Sequence, residues 1–415
     1  MKILFVSEYY PPKIMGGGEI NLELLATALV KKKVEVVVLT SDHPELEEIE
    51  KRDGVTIYRR LKTGKNPSEL VENVKRSLLF PRSIVTEVEE ILRQEKVEVI
   101  HFIGTSIIAA PQLKSCGVPL FATIESYPSL CPKGDRIFHG KTECTIKCSF
   151  TEFLSCQRDS AEIGKMKNDW YLKYNAPALS YIYHYYRQLN GALQYCNLIA
   201  ISEYVQWLLQ QQGHRSMVIP NALDITKFTV NAIKNKPKLN EKMKVLYLGS
   251  LIHSKGAQVL LEAIQGLPVE CELYGEGLLK EELQHKIQQY NLPAKIHAPV
   301  PYAEIPSLYA QADIIVFPSL WPEPFGRVAI EAMAAGKPVI GSAIGGIKET
   351  IAEDTGILVN PGNAEQLREA ITIVMHDPKL RKGLGRKGRK VVEELYAEEK
   401  VAEKLIRFYE AKISS

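Results

Sequence analysis

The 415-residue chain contains no apolar run near the ~18–20 residues that a membrane span needs. It lacks a charge excess of either sign: 52 Lys and Arg face 49 Asp and Glu, leaving a formal +3. That balance does not favour a dedicated nucleic-acid binder. Cysteine is scarce and odd in number, seven in all, which argues against a full disulfide framework. The opening Met1-Lys2-Ile3-Leu4-Phe5-Val6 lacks a cleavage site and reads as a first β-strand, not a signal peptide. A cytoplasmic location is the expectation. With 45% hydrophobic and 24% charged residues the chain is not disordered, collagenous or fibrous. At ~100–200 residues per domain, it should form two or three domains.

Short β-branched runs alternate with helical patterns, which predicts βαβ units and parallel sheets. Strands are expected at Lys2–Ser7, Glu35–Thr40, Val55–Arg59, Val99–Phe102 and Leu120–Ile124, with a helix over Ile20–Lys31. From about Ser126 to Asn175 the chain is polar, Cys-bearing and aperiodic. Strands return at Leu198–Ser202 and Val218–Ile219, and Thr226–Lys242, with five lysines, reads as a linker. A second βα series follows, with strands at Lys244–Gly249, Val269–Tyr274, Lys295–His297, Ile314–Phe317 and Pro338–Gly341. The expected domains are 1–220, with an insert near 126–175, and 221–390. A long helix over Val391–Lys412, with Leu395, Leu405 and Phe408 on one side, is expected to return residues 391–415 to the first domain. Ligands of open α/β sheets sit outside the carboxyl ends of the strands, so function should lie in a cleft where both sets of loops converge.

Four strand-end loops could carry chemistry. In Tyr9–Glu19, Gly16, Gly17 and Gly18 let backbone approach a ligand, and a helix start can bind an anion. That loop is neither GxGxxG nor a Walker loop. In Gly249–Gly256, Lys255 stands beside a helix start, suited to a phosphate. The strongest is Asp313–Gly336, where a buried strand enters a proline-rich loop and then a helix expected to begin near Phe325. The N–H groups of Phe325, Gly326 and Arg327, with the Arg327 cation, suit a diphosphate. Glu323 lies in the loop, and Glu331, expected two turns into an apolar helix, needs hydroxyl-type partners. Two carboxylates flanking an anion site suit a sugar nucleotide. Gly341–Thr350 is a further glycine turn expected to face the same cleft.

On these residues the chain resembles a family 4 glycosyltransferase of the GT-B fold: two Rossmann-like βαβ domains facing across a cleft, with a C-terminal helix returning to the first. The landmarks run in order: Tyr10-Pro-Pro with Gly16-Gly-Gly-Glu19, Val218-Ile-Pro-Asn221, Asp224, Phe228, Lys255-Gly256, Gly275-Glu-Gly277, Glu323-Pro-Phe-Gly-Arg327, Glu331-Ala-Met-Ala-Ala-Gly336, Gly345-Gly346 with Glu349, and Thr355-Gly-Ile-Leu-Val359. The resemblance implies a retaining, metal-independent enzyme that moves a sugar from a nucleotide-diphosphate donor to a glycan or lipid-linked glycan. Glu323 would hold donor-sugar hydroxyls and Glu331 the ribose. Lys255, Arg327 and helix N–H groups would stabilise the leaving diphosphate, and Gly16 and Gly17 would let the first domain close. The base would lie near Gly275. No catalytic cofactor and no nucleic-acid partner is implied, and no Asp-x-Asp stands at a strand end. Two positions depart from the family pattern: Ser250 replaces an arginine, and Glu125 replaces a histidine after Leu120–Ile124. They raise two alternatives: altered donor-sugar contacts, or a catalytically inactive sugar-nucleotide-binding protein. An epimerase of the same fold is a further alternative, which the Glu-x7-Glu pattern disfavours. His101 matches a common family histidine.

Cys131, Cys144, Cys148 and Cys156 fall within 26 residues of the insert. Three readings stand: a structural zinc, disulfides, or free thiols. Trp170, Tyr171, Tyr174, Tyr181, Tyr183, Tyr185 and Tyr186 lie among Lys165, Lys167, Lys173 and Arg187. They suit peripheral membrane contact or a carbohydrate acceptor, and alternatively a packed helix pair. Lys379–Lys390 holds seven bases and no acid, which suits anionic lipid or a solvated helix face. The cytoplasmic face of a membrane is thus a second expected location.

Overall fold

The computed structural model describes residues 1–63, 70–140, 142–159, 175–228 and 242–414. Trp170, Tyr171, Tyr174, Lys165, Lys167, Lys173 and residues 229–241 of the expected linker lie outside them.

The first sheet has eight strands in the order β10-β9-β6-β5-β1-β2-β4-β3. Its members are β1 (Lys2–Ser7), β2 (Glu35–Ser41), β3 (Ile49–Arg52), β4 (Val55–Leu61), β5 (Val99–Ile103), β6 (Leu120–Ile124), β9 (Asn197–Ala200) and β10 (Ser216–Val218). A separate hairpin, β7 (Ile137–Phe138) with β8 (Thr142–Glu143), lies in the insert. The second sheet has six strands in the order β13-β12-β11-β14-β15-β16. These are β11 (Met243–Leu248), β12 (Val269–Tyr274), β13 (Ala294–His297), β14 (Ile314–Phe317), β15 (Val339–Ser342) and β16 (Gly356–Val359). Every pairing in the two large sheets is parallel except β3 with β4. Central strands buried on both faces explain the unbroken apolar runs.

Helices cover both faces of the first sheet. Leu22, Leu25 and Leu29 of the helix Gly17–Lys31 pack on Ile3, Phe5, Val36 and Val38. Phe80, Ile84, Val88 and Ile91 of the helix Leu70–Gln94 pack on Leu4, Val6, Val37 and Leu39. In the second sheet Val245 and Tyr247 pack against Leu260, Leu261, Leu367 and Ile371.

The C-terminal segment corrects one expectation. Val391–Leu395 ends the helix Pro378–Leu395, and a separate helix, Glu398–Ile413, returns to the first sheet. The break has a backbone cause: Tyr396 and Ala397 leave the helix to bridge Leu223, whose N–H bonds Tyr396 O at 2.8 Å while Glu398 N–H bonds Leu223 O at 3.2 Å. Leu395 is therefore exposed, whereas Val401, Ala402, Leu405 and Tyr409 join the Ile3–Phe5 core. His101 ties this helix down. Its ring, fully buried, meets Tyr409 OH and lies 2.7 Å from Thr123 Oγ1. Burial depresses its pKa to about 3, so it is a neutral structural group.

The described part of the insert, up to Asp159, holds more regular structure than its aperiodicity suggests. Beside the hairpin it holds the helix Phe150–Arg158, whose start is capped by Ser149 and Glu152 in a reciprocal box. Tyr183 stacks on Phe153 and Tyr186 is buried, so these two rings pack against the insert.

Candidate active site

The Glu323 loop is fixed through its carbonyl groups. Pro322 O accepts from Tyr127 OH, Glu323 O from Gly346 N–H at 2.7 Å, Pro324 O from Ser202 Oγ at 2.5 Å, and Phe325 O from Thr350 Oγ1 at 3.4 Å. Four consecutive carbonyls are thus held, two of them by side chains of the first half. Gly345 and Gly346 permit this: a Cβ on either would fall inside 3.0 Å of the 322–325 backbone.

Held in this way, the Glu323 carboxylate pairs with Lys255 Nζ at 2.6 Å and accepts from Ser319 Oγ at 3.1 Å. Lys255 also lies 4.4 Å from the centre of the Trp321 ring. Lys255 lines a cleft of about 620 Å³ with Lys133, Gly134 and Asp135 from one half and Ser254 and Trp321 from the other, and Glu323 lies behind it.

The helix begins at Arg327, with Gly326 left-handed at φ 106° before it. That corrects the expected start near Phe325 and puts Glu331 one turn in. The reason is packing: Phe325 is buried against Tyr396, and only past Gly326 does the chain turn helical. Glu331 is buried, and its oxygens accept from Arg327 Nε at 2.9 Å, Tyr302 OH at 2.9 Å and Tyr309 OH at 3.0 Å. Burial alone would lower Arg327, but Glu331 and Tyr302 outweigh it and raise it. Burial, reinforced by Glu331, pushes Tyr309 well above its ordinary value.

Arg327 also reaches the first half. Its Nη1 lies 3.5 Å from Ala222 O, and a Cβ on Gly17 would stand 3.2 Å from its Cδ. Beside Gly17, the Glu125 carboxylate lies against Gly18 and accepts from Asn21 Nδ2 at 3.2 Å. Burial pushes Glu125 up to about 7, which Glu19 reinforces and Asn21 and Arg327 oppose.

The structure therefore brings together Lys255 with Glu323, and Arg327 with Glu331, Gly17 and Glu125. Gly16 stands in open space. Ser250 is exposed and uses its carbonyl to accept from Tyr247 OH at 2.9 Å. Gly275 packs its Cα against the Gly249 carbonyl. Sequence reasoning missed Tyr302, Tyr309, Ser319, Asn21 and Trp321. Tyr302 and Tyr309 fall seven residues apart, two turns on one helix face, but nothing in that spacing says where a hydroxyl points.

The four insert cysteines line one small pocket with Lys133 and Arg136. None is in a disulfide, and among the described residues no His, Cys, Asp or Glu group forms a ready metal-ligand set. No helix among the described residues is long and apolar enough to cross a membrane.

Residues 15–227 match the model of the family described as Glycosyltransferase Family 4, and residues 230–391 that of Glycosyl transferases group 1. An uncharacterized glycosyltransferase of Methanocaldococcus jannaschii is 27% identical, the match covering 99% of this chain and 98% of the relative. Sucrose-phosphate synthase from Thermosynechococcus elongatus superposes with a TM-score of 0.77 at 22% identity, covering 100% and 99% of the two chains. Anabaena HepE in complex with UDP-glucose gives 0.67 at 19% identity, covering 99% and 100%.

Proposed function

The chain belongs to glycosyltransferase family 4 with the GT-B fold, and from that premise we propose that it moves a sugar from a nucleotide-diphosphate donor, with retention, to a glycan or lipid-linked glycan. The observation that carries this reading is the two ion pairs of the motif, Lys255 with Glu323 and Arg327 with Glu331. Each acid neutralises a cation in the free protein. A sugar nucleotide exchanges those partners: hydroxyls take the carboxylates, and the diphosphate takes the cations.

In this reading Glu323 binds the donor-sugar hydroxyls, and Glu331, steadied by Tyr302 and Tyr309, binds the ribose. Lys255, Arg327 and the N–H groups opening the helix at Arg327 stabilise the charge on the departing diphosphate. Arg327 stands in for the arginine that Ser250 replaces. The acceptor attacks on the face the diphosphate leaves, and a phosphate oxygen takes its proton. Positioning and charge stabilisation supply the rate, so no protein nucleophile and no catalytic metal is required. The cleft of about 620 Å³ has the size of a ligand pocket. UDP-glucose in the structure of HepE supports a nucleotide-sugar donor here too. The acceptor would enter from the first half, in the cytoplasm or at its membrane face.

A thermal-shift panel of UDP, GDP, ADP, TDP and CDP with their sugars, with and without EDTA, tests this. A ligand that binds only the folded state raises apparent stability. One nucleotide series should stabilise the protein, unaffected by EDTA. No shift with any of them would overturn the donor site and leave a non-catalytic protein of this fold.

A further inference from the structure

The described part of the insert holds a buried cation that no described carboxylate pairs with. The Arg136 side chain is 1% exposed. Its hydrogen bonds run from Nη1 to the carbonyls of Leu130 and Ile146, both at 3.3 Å, and its Nε has no partner. Among the described residues no carboxylate forms an ion pair with it. Lys133 is equally enclosed, but Asp135 lies 3.3 Å from its Nζ. A buried cation without a counter-charge costs several kcal/mol, so such groups are normally paired.

Arg136 shares its pocket with four cysteines, the Glu152 side chain and the apolar Ile137, Phe138, Ile146 and Phe153. Cys131, Cys144, Cys148 and Cys156 line one pocket with it, and the space inside is about 10 Å³, room for a single atom-sized guest. One of the sulfurs already has polar neighbours. His139 N–H lies 3.2 Å from Cys156 Sγ, Lys133 Nζ lies 3.4 Å from the same sulfur, and that sulfur lies 3.4 Å from the Ile137 carbonyl.

We propose that Cys131, Cys144, Cys148 and Cys156 bind one zinc ion as a structural tetrathiolate, whose net negative charge is the counter-charge that Arg136 lacks. Four sulfur ligands in a tetrahedral set select zinc or an iron–sulfur cluster, and the pocket is too small for a cluster. As the side chains stand, the thiols do not form a finished ligand set, so they turn about their Cα–Cβ bonds into the pocket on binding. Four Zn–S bonds form, and four thiol protons leave to solvent.

The site would matter to the cleft. Lys133, Gly134 and Asp135 form one of its walls, and Asp135 O accepts the Trp321 indole N–H at 2.6 Å. The hairpin β7–β8 and the helix Phe150–Arg158 are short elements that hold this wall with little core of their own. The zinc is thus a staple for the wall, independent of the donor-site reading.

The full chain, expressed with added zinc and purified under reductant without chelator, should carry one zinc per chain by mass spectrometry. Cobalt in its place should give the intense visible bands of tetrahedral thiolate coordination. Cys148→Ser should lose the metal and lower the melting temperature, while Cys116→Ser and Cys196→Ser keep it. Should Cys148→Ser not fold, Cys148→His, which restores a ligand, should retain zinc with an altered cobalt spectrum. Less than half an equivalent of zinc in the wild type would overturn the proposal. So would full zinc in Cys148→Ser, iron with visible absorption, or disulfides among these four cysteines.

Discussion

At the residue scale, two carboxylates in one motif are held by different physics. Both are buried, but Glu323 answers to Lys255 and Ser319, whereas Glu331 is held by Arg327, Tyr302 and Tyr309. Glu323→Gln keeps the shape and removes the charge, so the loop stays pinned through its carbonyls. Transfer should fall by about two to three orders of magnitude, the usual cost of a lost transition-state contact, with the melting temperature little changed. A kcat within about threefold of wild type would remove Glu323 from the reacting centre. Glu125 makes a prediction of different kind. Its folded pKa, about 7, lies above the ordinary carboxylate value, so the fold disfavours its ionised form. The resulting penalty is absent below the ordinary carboxylate value, builds as pH rises from there to about 7, and stays constant above it. Glu125→Gln escapes it. Denaturation across pH should therefore show the variant's advantage smallest near pH 4, rising to about pH 7 and level from there to pH 8. A constant difference across that range would mean that Glu125 is ionised throughout.

At the element scale, one helix carries two opposite predictions. In the helix Pro378–Leu395, Gly385 and Gly388 face the helix Arg327–Ala334, and Arg389 reaches back to Ala334 O. A Cβ on Gly385 would fall well inside 3.0 Å of the Gly336 carbonyl, whereas one on Gly383 meets nothing within 4 Å. Alanine is the better helix former by about 1 kcal/mol, so space decides the sign. Gly383→Ala should stabilise by up to about 1 kcal/mol, and Gly385→Ala should destabilise by about 1–3 kcal/mol as the helices part. Urea titration of both separates the two, and a stabilised Gly385→Ala would refute the close approach. These elements also show what the sequence could reveal. The βα rhythm gives the central strands to within a residue or two, because strands buried on both faces must be apolar. It misses β3 and β16: β3 is an exposed edge of mixed polarity, and β16 is short and begins in glycine. It also misses the break at Tyr396, because the helical pattern runs on while a long-range bridge to Leu223 takes over the backbone. In the site, the landmark acids and cations were legible as a motif. The tyrosines that surround Glu331 were not, since only the packed helices decide which hydroxyl reaches which carboxylate.

At the scale of the whole molecule, the grip on the Glu323 loop joins the two halves. Tyr127 and Ser202 of the first half hold Pro322 O and Pro324 O, and the Glu349 carboxylate of the second accepts the N–H groups of Glu203 (2.7 Å) and Tyr204 (3.0 Å). Those two groups open the helix Glu203–Gln211, where a negative charge is favoured. The cleft cannot widen there without releasing these bonds, and the same bonds position Glu323. Closure and assembly of the donor site are therefore one event. Removing Tyr127 OH and Ser202 Oγ together should cost about 0.5–1.5 kcal/mol for each bond to the loop, a cost that falls on the closed arrangement, while the lost Ser202 cap on Val205 N–H (3.0 Å) weighs equally on open and closed forms. A Tyr127→Phe, Ser202→Ala double variant should therefore populate a wider form, seen as a larger radius of gyration in small-angle scattering without ligand. Saturating donor nucleotide should bring the radius back toward that of the wild type, because binding energy then supports closure. The kinetic signature follows: a higher donor KM, with much of kcat recovered at saturation. Scattering identical to wild type together with a raised KM would place these hydroxyls in local support of the loop. Unchanged scattering and unchanged kinetics would mean that packing of Phe325 and Trp321, and not the carbonyl grip, holds the two halves together.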